Sequence, residues 1–378
     1  MRLPNPPHPQ RVEAISPTVY EAALKCRARA VWSLSGDCDG LPQHPSSVLG
    51  RSFHSVMAAA NRGELGSSRE DRRAAARELF RTTARTAYAG CHPHLRAKFK
   101  CADELPFFNL TCEQAALNAA AVTSNRSVST DASFGSGSNV RTRRKEVRLA
   151  SANGRIVGRL DHINQTAQAV LDYKTGRGGG TSLLDHERRQ LRLYTYLAIQ
   201  NGVNVIRGIV VRSNGLSVEE RISESQAFAE AENALNVLEE LNSAIEARAE
   251  FKDLASPAPN NCCDCPCIPF CSAFWDAARP EWKDGVGCQV EGRVESVQPM
   301  LVRGVRLIAL AMQITRGTEL TVRANVQAFP ERWLTADGGP VPSRGDSIRI
   351  VNARTGGESA PLTVHVDRLG TTVWTVGT

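Results

Sequence analysis

Gly158-Arg-Leu-Asp161-His-Ile163, then the polar connection Asn164-Gln-Thr-Ala-Gln168, then Ala169-Val-Leu-Asp172-Tyr-Lys174-Thr-Gly176, is the stretch whose reading decides the fold. Residues 154–163 alternate, with Arg155, Val157, Arg159 and Asp161 set against Ile156, Gly158 and Leu160. Residues 168–174 repeat that period of two, so the segment reads as two strands in a hairpin-like arrangement. Residues two apart on a strand share a face, which points Asp172 and Lys174 the same way. Asp161, on the neighbouring strand, can reach the same metal. Two hard oxygen ligands beside a lysine suit Mg²⁺ or Mn²⁺. Such an ion polarises a phosphodiester and lowers the pKa of water, while Lys174 orients the attacking water or stabilises developing charge. An isolated Asp-x-Lys is often only solvated surface charge. Here the preceding Gly-x-x-Asp strand, the Val170-Leu171 run-in and the Thr175-Gly176 exit give it meaning.

A second pattern lies in the cysteines. The chain has eleven, five of them inside Cys262-Cys-Asp-Cys-Pro-Cys-Ile-Pro-Phe-Cys271. Met1-Arg-Leu-Pro-Asn-Pro-Pro-His-Pro-Gln10 lacks the apolar centre of a signal peptide, and no apolar run is long enough to span a bilayer. A cytoplasmic chain with no membrane partner is therefore expected, and there clustered cysteines favour a metal centre over disulfides. Cys262, Cys265 and Cys271 follow a C-x2-C-x5-C spacing. Zinc sites usually come as two close pairs, and no second pair is present. Cys38, Cys91, Cys101, Cys112 and Cys288 read as ordinary thiols, and Cys91-His-Pro-His94 is too short and isolated to act as a ligand set.

Taken together, these residues resemble the PD-(D/E)XK nuclease superfamily, in its RecB-like branch of CRISPR-associated exonuclease type with a four-cysteine iron–sulfur cluster. Further matches follow in family order. Ile15-Ser-Pro-Thr-Val-Tyr-Glu-Ala-Ala-Leu-Lys-Cys26 is similar to the segment in which the first cluster ligand follows a short helix. Gly50-Arg-Ser-Phe-His54 resembles the G-x-x-x-H helix that gives a histidine to the metal site. Gln190-Leu-Arg-Leu-Tyr194 resembles the Q-x-x-x-Y helix, whose two named residues lie four apart on one face. The likeness runs from about residue 14 to about residue 275.

The resemblance implies an α/β fold: a restriction-endonuclease-like core with helical additions. It implies that Asp161 and Asp172 bind divalent metal, helped by His54 and the Tyr173 backbone carbonyl, with Lys174 completing the catalytic set. It places Gln190 and Tyr194 near the active site, against substrate backbone. It assigns Cys26, Cys262, Cys265 and Cys271 to a [4Fe-4S] cluster. That assignment competes with zinc, and the distant Cys26 suits a four-cysteine cluster better. Cys263 and Cys267 crowd the ligand set. Glu146 stands where the family often carries another carboxylate, or is a solvated strand residue. The implied activity is an exonuclease on single-stranded DNA ends, in DNA repair, recombination or antiviral defence, with a helicase or defence-system protein as a possible partner.

Composition agrees with these expectations. The net charge of +7 suits a polyanionic partner. Arg141-Thr-Arg-Arg-Lys145 is the most basic run and could contact phosphate, or lie as a solvated strand edge. Thr123–Asn139, rich in Ser, Gly and Asn, reads as a mobile loop and a flap over substrate. Helices are expected over Ser68–Tyr88, Cys112–Val122, Asp185–Gln200 and Glu224–Ala249, with a strand over Val203–Arg212. Gly176-Arg-Gly-Gly-Gly180 lacks the Gly-Lys-Ser/Thr ending of a phosphate loop, so no ATPase motor is expected. Composition changes near Pro280–Gly287, which divides the chain into 1–280 and 288–378. The second part reads as strands over Gln289–Gln298, Val305–Thr315, Leu320–Val326, Asp346–Asn352, Leu362–Val366 and Thr371–Val376, with a helical turn in Phe329–Leu334. A small β-barrel, an OB-fold first, is expected. It could hold single-stranded nucleic acid or a partner protein. Two rival readings stay open: a catalytically silent DNA-binding or structural subunit of a helicase–nuclease complex, and a zinc-stabilised DNA-binding protein.

Overall fold

The computed structural model describes residues 1, 3–35, 41, 43–122, 147–176, 180–247, 250–319, 323–356, 361–367 and 369–376. The expected flap at Thr123–Asn139, the basic run Arg141–Lys145, Glu146 and Cys38 lie outside the described residues. Six helices come first: α1 Pro17–Lys25, α2 Arg27–Leu34, α3 Pro45–Asn61, α4 Arg69–Ala89, α5 Pro93–Lys98 and α6 Phe108–Ala121. Next come β1 Val147–Ala150, β2 Val157–Leu160, β3 His162–Asn164, β4 Ala169–Lys174, α7 Asp185–Gln200, β5 Arg207–Arg212, β6 Ser217–Arg221 and α8 Glu224–Glu246. The short helices α9 Pro259–Cys262, α10 Ser272–Ala277 and α11 Lys283–Val286 carry the chain to its C-terminal part. That part comprises β7 Cys288–Val302, β8 Val305–Gly317, β9 Ala324–Pro330, α12 Arg332–Thr335, β10 Ser347–Gly356, β11 Leu362–His365 and β12 Thr372–Val376. Among the described residues no helix is long and apolar enough to cross a membrane.

The fold is mixed α/β. A four-stranded sheet has the order β3-β4-β5-β6, in which β4 and β5 run parallel and α7 makes the crossover between them. The single strand expected over residues 154–163 is divided. β2 pairs with β1 in a separate two-stranded sheet, β3 pairs with β4, and Asp161 occupies the break. Helix α7 lies unusually close to both sheets because glycines face it. A Cβ on Gly158 would come within 2.6 Å of Leu197 Cδ1, and one on Gly208 within 2.9 Å of Leu191 Cβ. Leu191 and Leu197 are fully buried, so the apolar face of α7 packs directly on the sheets. The expected strand over 203–212 starts only at Arg207; before it, the Ile206 amide bonds to the Gln168 carbonyl outside the ladder.

A second apolar cluster joins α3, α4 and α6 around Phe53, Phe80 and Phe108, and Tyr173 of β4 packs into it. In the C-terminal sheet the order is β11-β9-β8-β7-β10-β12, and β11 also pairs with β10. The pairings β7–β8, β8–β9, β9–β11, β11–β10 and β10–β7 therefore return to their start, with β9–β11 the parallel one. Of the strand expected over 320–326, residues 320–322 lie outside the described residues; the described strand is Ala324–Pro330, and the helical turn follows it at Arg332–Thr335. Pairing of Ile308 with Phe329 and of Leu307 with Pro330 draws those residues into the ladder.

The C-terminal sheet is tied to the rest of the chain at several places, among them helix α5, the cysteine-rich loop and Met1, whose amine donates to the Leu334 and Val373 carbonyls. Helix α5 supplies His94, whose Nδ1–H donates to the Trp333 carbonyl at 2.7 Å, and Lys98, whose ammonium donates to the Thr371 and Asp367 carbonyls. The cysteine-rich loop supplies the Pro269 carbonyl, which accepts from Arg349 Nη1 at 2.7 Å, and α10 supplies the Trp275 ring, 5.0 Å from the same guanidinium. Val351 and Trp374 extend this contact into the apolar cluster of the preceding part.

Candidate active site

The site is built where β4 outruns β3. Their antiparallel pairing ends at His162↔Leu171, leaving the Asp172–Lys174 half of β4 without β3 on that side. Asp161, one residue beyond the pairing, fills the gap with its side chain: Oδ2 accepts from the Tyr173 amide at 2.8 Å. Its other oxygen meets His54 Nδ1 at 2.9 Å. His54 comes from α3, which packs close to the end of β4 because Gly50 sits there. A Cβ at Gly50 would lie 3.1 Å from Thr175 Oγ1.

From the other side α7 delivers Gln190 and Tyr194. The Gln190 amide is held in one orientation: Oε1 accepts from Lys174 Nζ at 2.7 Å, and Nε2 donates to Asp172 Oδ1 at 3.0 Å and to the Tyr194 hydroxyl at 3.1 Å. Reversed, the amide would set donor against ammonium and acceptor against carboxylate. The Tyr194 hydroxyl donates onward to the Arg159 carbonyl at 3.1 Å, tying α7 to β2. Lys174 Nζ also stands 2.8 Å from Asp172 Oδ2, an oxygen that accepts no well-directed hydrogen bond among the described residues. The structure thus brings His54 with Asp161, and Asp172 with Lys174, Gln190 and Tyr194, into two hydrogen-bonded groups side by side at the end of β4. The Tyr173 amide belongs to the first.

Electrostatics follow from burial. Asp172 is only 5 % exposed. Burial raises its pKa, Lys174 opposes the shift, and the nearby Asp161 adds to it. His54 is raised overall: burial disfavours its charge, but the hydrogen bond and charge of Asp161 outweigh that. Tyr194 is pushed up by burial and by Asp172, so it stays a phenol and a donor.

As the side chains stand, no group of three or more His, Cys, Asp or Glu among the described residues is disposed to hold a metal ion. The two aspartates are instead turned to protein partners, Asp161 to His54 and the Tyr173 amide, Asp172 to Gln190 and Lys174. The donor types nonetheless fit a hard divalent cation. Two carboxylates and an imidazole converge, and Asp172 Oδ2 is buried with only an ammonium beside it.

Two functional supports escape a reading of the sequence. Glu187, one turn before Gln190, is 2 % exposed and forms a two-pronged pair with Arg212; the Nη2–Oε2 distance is 2.8 Å. Arg212 stands beside Lys174 in the β4–β5 register. Glu187 also accepts from the Leu184 amide at 3.0 Å, closing the first turn of α7. Its position three residues from Leu184 signals a cap, but its pairing with Arg212 has no local signature. Glu21 is likewise held by Arg189, the neighbour of Gln190, at 2.6 and 2.7 Å.

The cysteines converge elsewhere. Cys26, at the start of α2, joins Cys262, Cys265, Cys267 and Cys271 around one small cavity of about 10 Å³. Cys263 is exposed and turns to Asp264 instead, so the crowding expected in this loop is resolved in favour of Cys267 as the fifth cavity sulfur. Loop geometry sets this choice, because Asp264 adopts a left-handed φ of 55° and reverses the chain there.

The sequence model of the PD-(D/E)XK nuclease superfamily matches residues 14–272. No curated protein matches the chain.

Proposed function

The chain belongs to the PD-(D/E)XK nuclease superfamily, and on that footing we propose that it is a metal-dependent deoxyribonuclease acting on single-stranded DNA ends. One observation carries the reading: two hydrogen-bonded groups, His54–Asp161–Tyr173 amide and Asp172–Gln190 with Lys174 and Tyr194, are set side by side at the end of β4, where Asp172 and Lys174 flank Tyr173. Asp161 and Asp172, with His54 and the Tyr173 carbonyl, would hold Mg²⁺ or Mn²⁺. Bound there, the ion supplies Lewis-acid activation of the phosphodiester and acidifies water.

The chain's own residues do the rest. Gln190 fixes the Lys174 ammonium beside Asp172, where it orients the attacking water and meets the charge that develops on phosphate oxygen. Its pairing with Asp172 opposes the upward pKa shift that burial imposes on that carboxylate. Tyr194, a neutral phenol, holds Gln190 in place and lies toward the substrate backbone.

The same reading gives the cysteines a structural task. Cys26, Cys262, Cys265 and Cys271 would ligate a [4Fe-4S] cluster, joining the start of the nuclease unit 1–280 to its end. Support comes from the meeting of Cys26 with the distant loop sulfurs at one cavity. For residues 288–378 we favour an OB-like barrel, because its strand pairings return to their start with a helix between the third and fourth strands. Repair, recombination or antiviral defence is the setting the reading suggests, with a helicase or defence-system protein as partner.

The test is digestion of end-labelled single- and double-stranded DNA by anaerobically purified protein with Mg²⁺ or Mn²⁺, beside Lys174→Ala. Metal-dependent cutting lost in the variant, with its melting temperature measured in parallel, supports the reading. Binding without cutting by the wild type would instead favour a silent subunit of a helicase–nuclease complex. Iron and acid-labile sulfide are measured on the same preparation and on Cys26→Ser. Zinc without iron would overturn the cluster.

A further inference from the structure

A cleft of about 880 Å³ opens between α1, α2, the N-terminal end of α3, α5 and the C-terminal strands β10 and β12. It is comparable with the largest ligand pockets, yet it contains none of His54, Asp161, Asp172 and Lys174, and it touches the cysteine loop at Cys265. We infer that this cleft carries the single strand beside the active site, with the C-terminal sheet as its far wall. The inference rests on the nuclease reading above and extends it.

Continuity with the site comes from two helices. His186 lines the cleft and Gln190 lies in the site; they are four residues apart on α7 and so share one face, about 6 Å apart along the axis. Ser47 lines the cleft and His54 lies in the site; they are seven residues apart on α3, again on one face, about 10 Å apart along the axis. Both helices thus run out of the catalytic set into the cleft with the same side turned inward.

Charge identifies the occupant. Lys25 and Arg29 line the cleft, and neither makes an ion pair with a described residue. Neighbouring arginines are committed: Arg27 to Glu240, Arg189 to Glu21 and Arg192 to Glu220. Of the carboxylates lining the cleft, Glu21 is already matched by Arg189, which leaves Asp264. The N-terminal end of α3, a 17-residue helix, opens on the cleft at Ser46 and Ser47; their amides donate to His44, so the helix adds the field of its dipole and no free donor. Trp32 and Trp374 also line the cleft but are 2 % and 1 % exposed. The cleft therefore offers charge without stacking platforms, which suits reading of a phosphodiester backbone independent of sequence.

The test is binding of fluorescein-labelled (dT)20 to the full chain in EDTA, across 50–200 mM salt, for wild type and Lys25→Glu/His186→Glu. Both residues are exposed and neither belongs to the catalytic set. The double variant is expected to bind at least 10-fold more weakly at low salt, with the salt dependence reduced by about one phosphate contact. Arg306→Glu/Arg323→Glu, on the outer surface of the C-terminal sheet, changes charge at least as much and is expected to bind like wild type. Absence of binding by wild type, wild-type binding by the cleft variant, or equal weakening in the control would each overturn the inference. Binding is read without a divalent cation, so a chain that binds through the cleft but never cuts sinks the nuclease reading and leaves the cleft standing. A chain that cuts and whose cleft variant binds normally does the reverse.

Discussion

Separating Glu187 from Arg212 should cost more than any surface change of charge in this protein. Their side chains are 2 % and 4 % exposed, and two parallel N–H···O bonds join them. Burial alone would raise the Glu187 pKa, but the Arg212 bonds and the Leu184 amide bring it below the usual carboxylate value, so the group is ionised in the fold. Glu187→Gln leaves the guanidinium without its counter-charge, and Arg212→Met leaves the carboxylate with little more than the Leu184 amide. Each single change is expected to cost about 3–5 kcal/mol. At about 2 °C per kcal/mol for a unit of this size, the melting temperature should fall by roughly 6–10 °C. Glu187→Gln/Arg212→Met removes both charges together. It should recover most of the loss, giving a coupling of at least ~2 kcal/mol in the double-mutant cycle. Arg212 neighbours Lys174 in the sheet and Glu187 lies one turn from Gln190, so either single change should also lower nuclease activity measured well below the melting point. Thermal melts of the four proteins decide the matter. If either single variant loses less than ~1 kcal/mol, or if the two losses simply add, the pair is not the anchor of α7.

Three further outcomes can be measured. Gly158→Ala puts a Cβ 2.6 Å from Leu197 Cδ1 and 3.1 Å from the Tyr194 ring; about 1–3 kcal/mol of stability should be lost, with activity falling as α7 is lifted, and an unchanged melting temperature would contradict this. Gln190→Leu strips Lys174 of its acceptor and Asp172 Oδ1 of its donor. Cutting should slow by at least about 10-fold, the equivalent of ~1.4 kcal/mol, while (dT)20 affinity in EDTA stays the same; weaker binding with unchanged turnover would refute the positioning role. His94 is buried, and burial lowers its pKa from 6.5 to about 2. The folded state refuses a proton that the unfolded chain takes up below pH 6.5, so stability is lost as pH falls from there toward the native value. One such proton amounts to about 2 kcal/mol by pH 5. Denaturant titrations from pH 7 to 5 should show that loss in wild type and a smaller one in His94→Gln, whereas parallel curves would rule the group out.

Residues 158–176 largely specified the catalytic strand. The alternation and the Asp172-x-Lys174 spacing require one face for both groups, and the structure keeps it. Helix α7 was legible to the residue, Asp185–Gln200, because its apolar period runs unbroken between Leu184 and Asn201. Less legible was the break at Asp161, since alternation continues through it and only competition between β1 and β4 for the strand divides it. The end of β9, at Pro330 and not Val326, was misplaced for a similar reason: it is set by the partner strand β8.

The sequence by itself determined which residues are carboxylate, amine and thiol, and at what local spacing they stand. Periodicity of two and of 3.6 is a property of neighbours along the chain, so strands, helices and their faces could be read from it. Only the tertiary structure decided that Cys267 and not Cys263 faces the cavity, that Glu187 meets Arg212, and that α5 and the cysteine loop clamp the C-terminal sheet to form a cleft. Those partners lie from 25 to 273 residues apart along the chain. No local pattern encodes such contacts. Burial selects them, because a charge or polar group removed from water is tolerated only where packing brings it a partner.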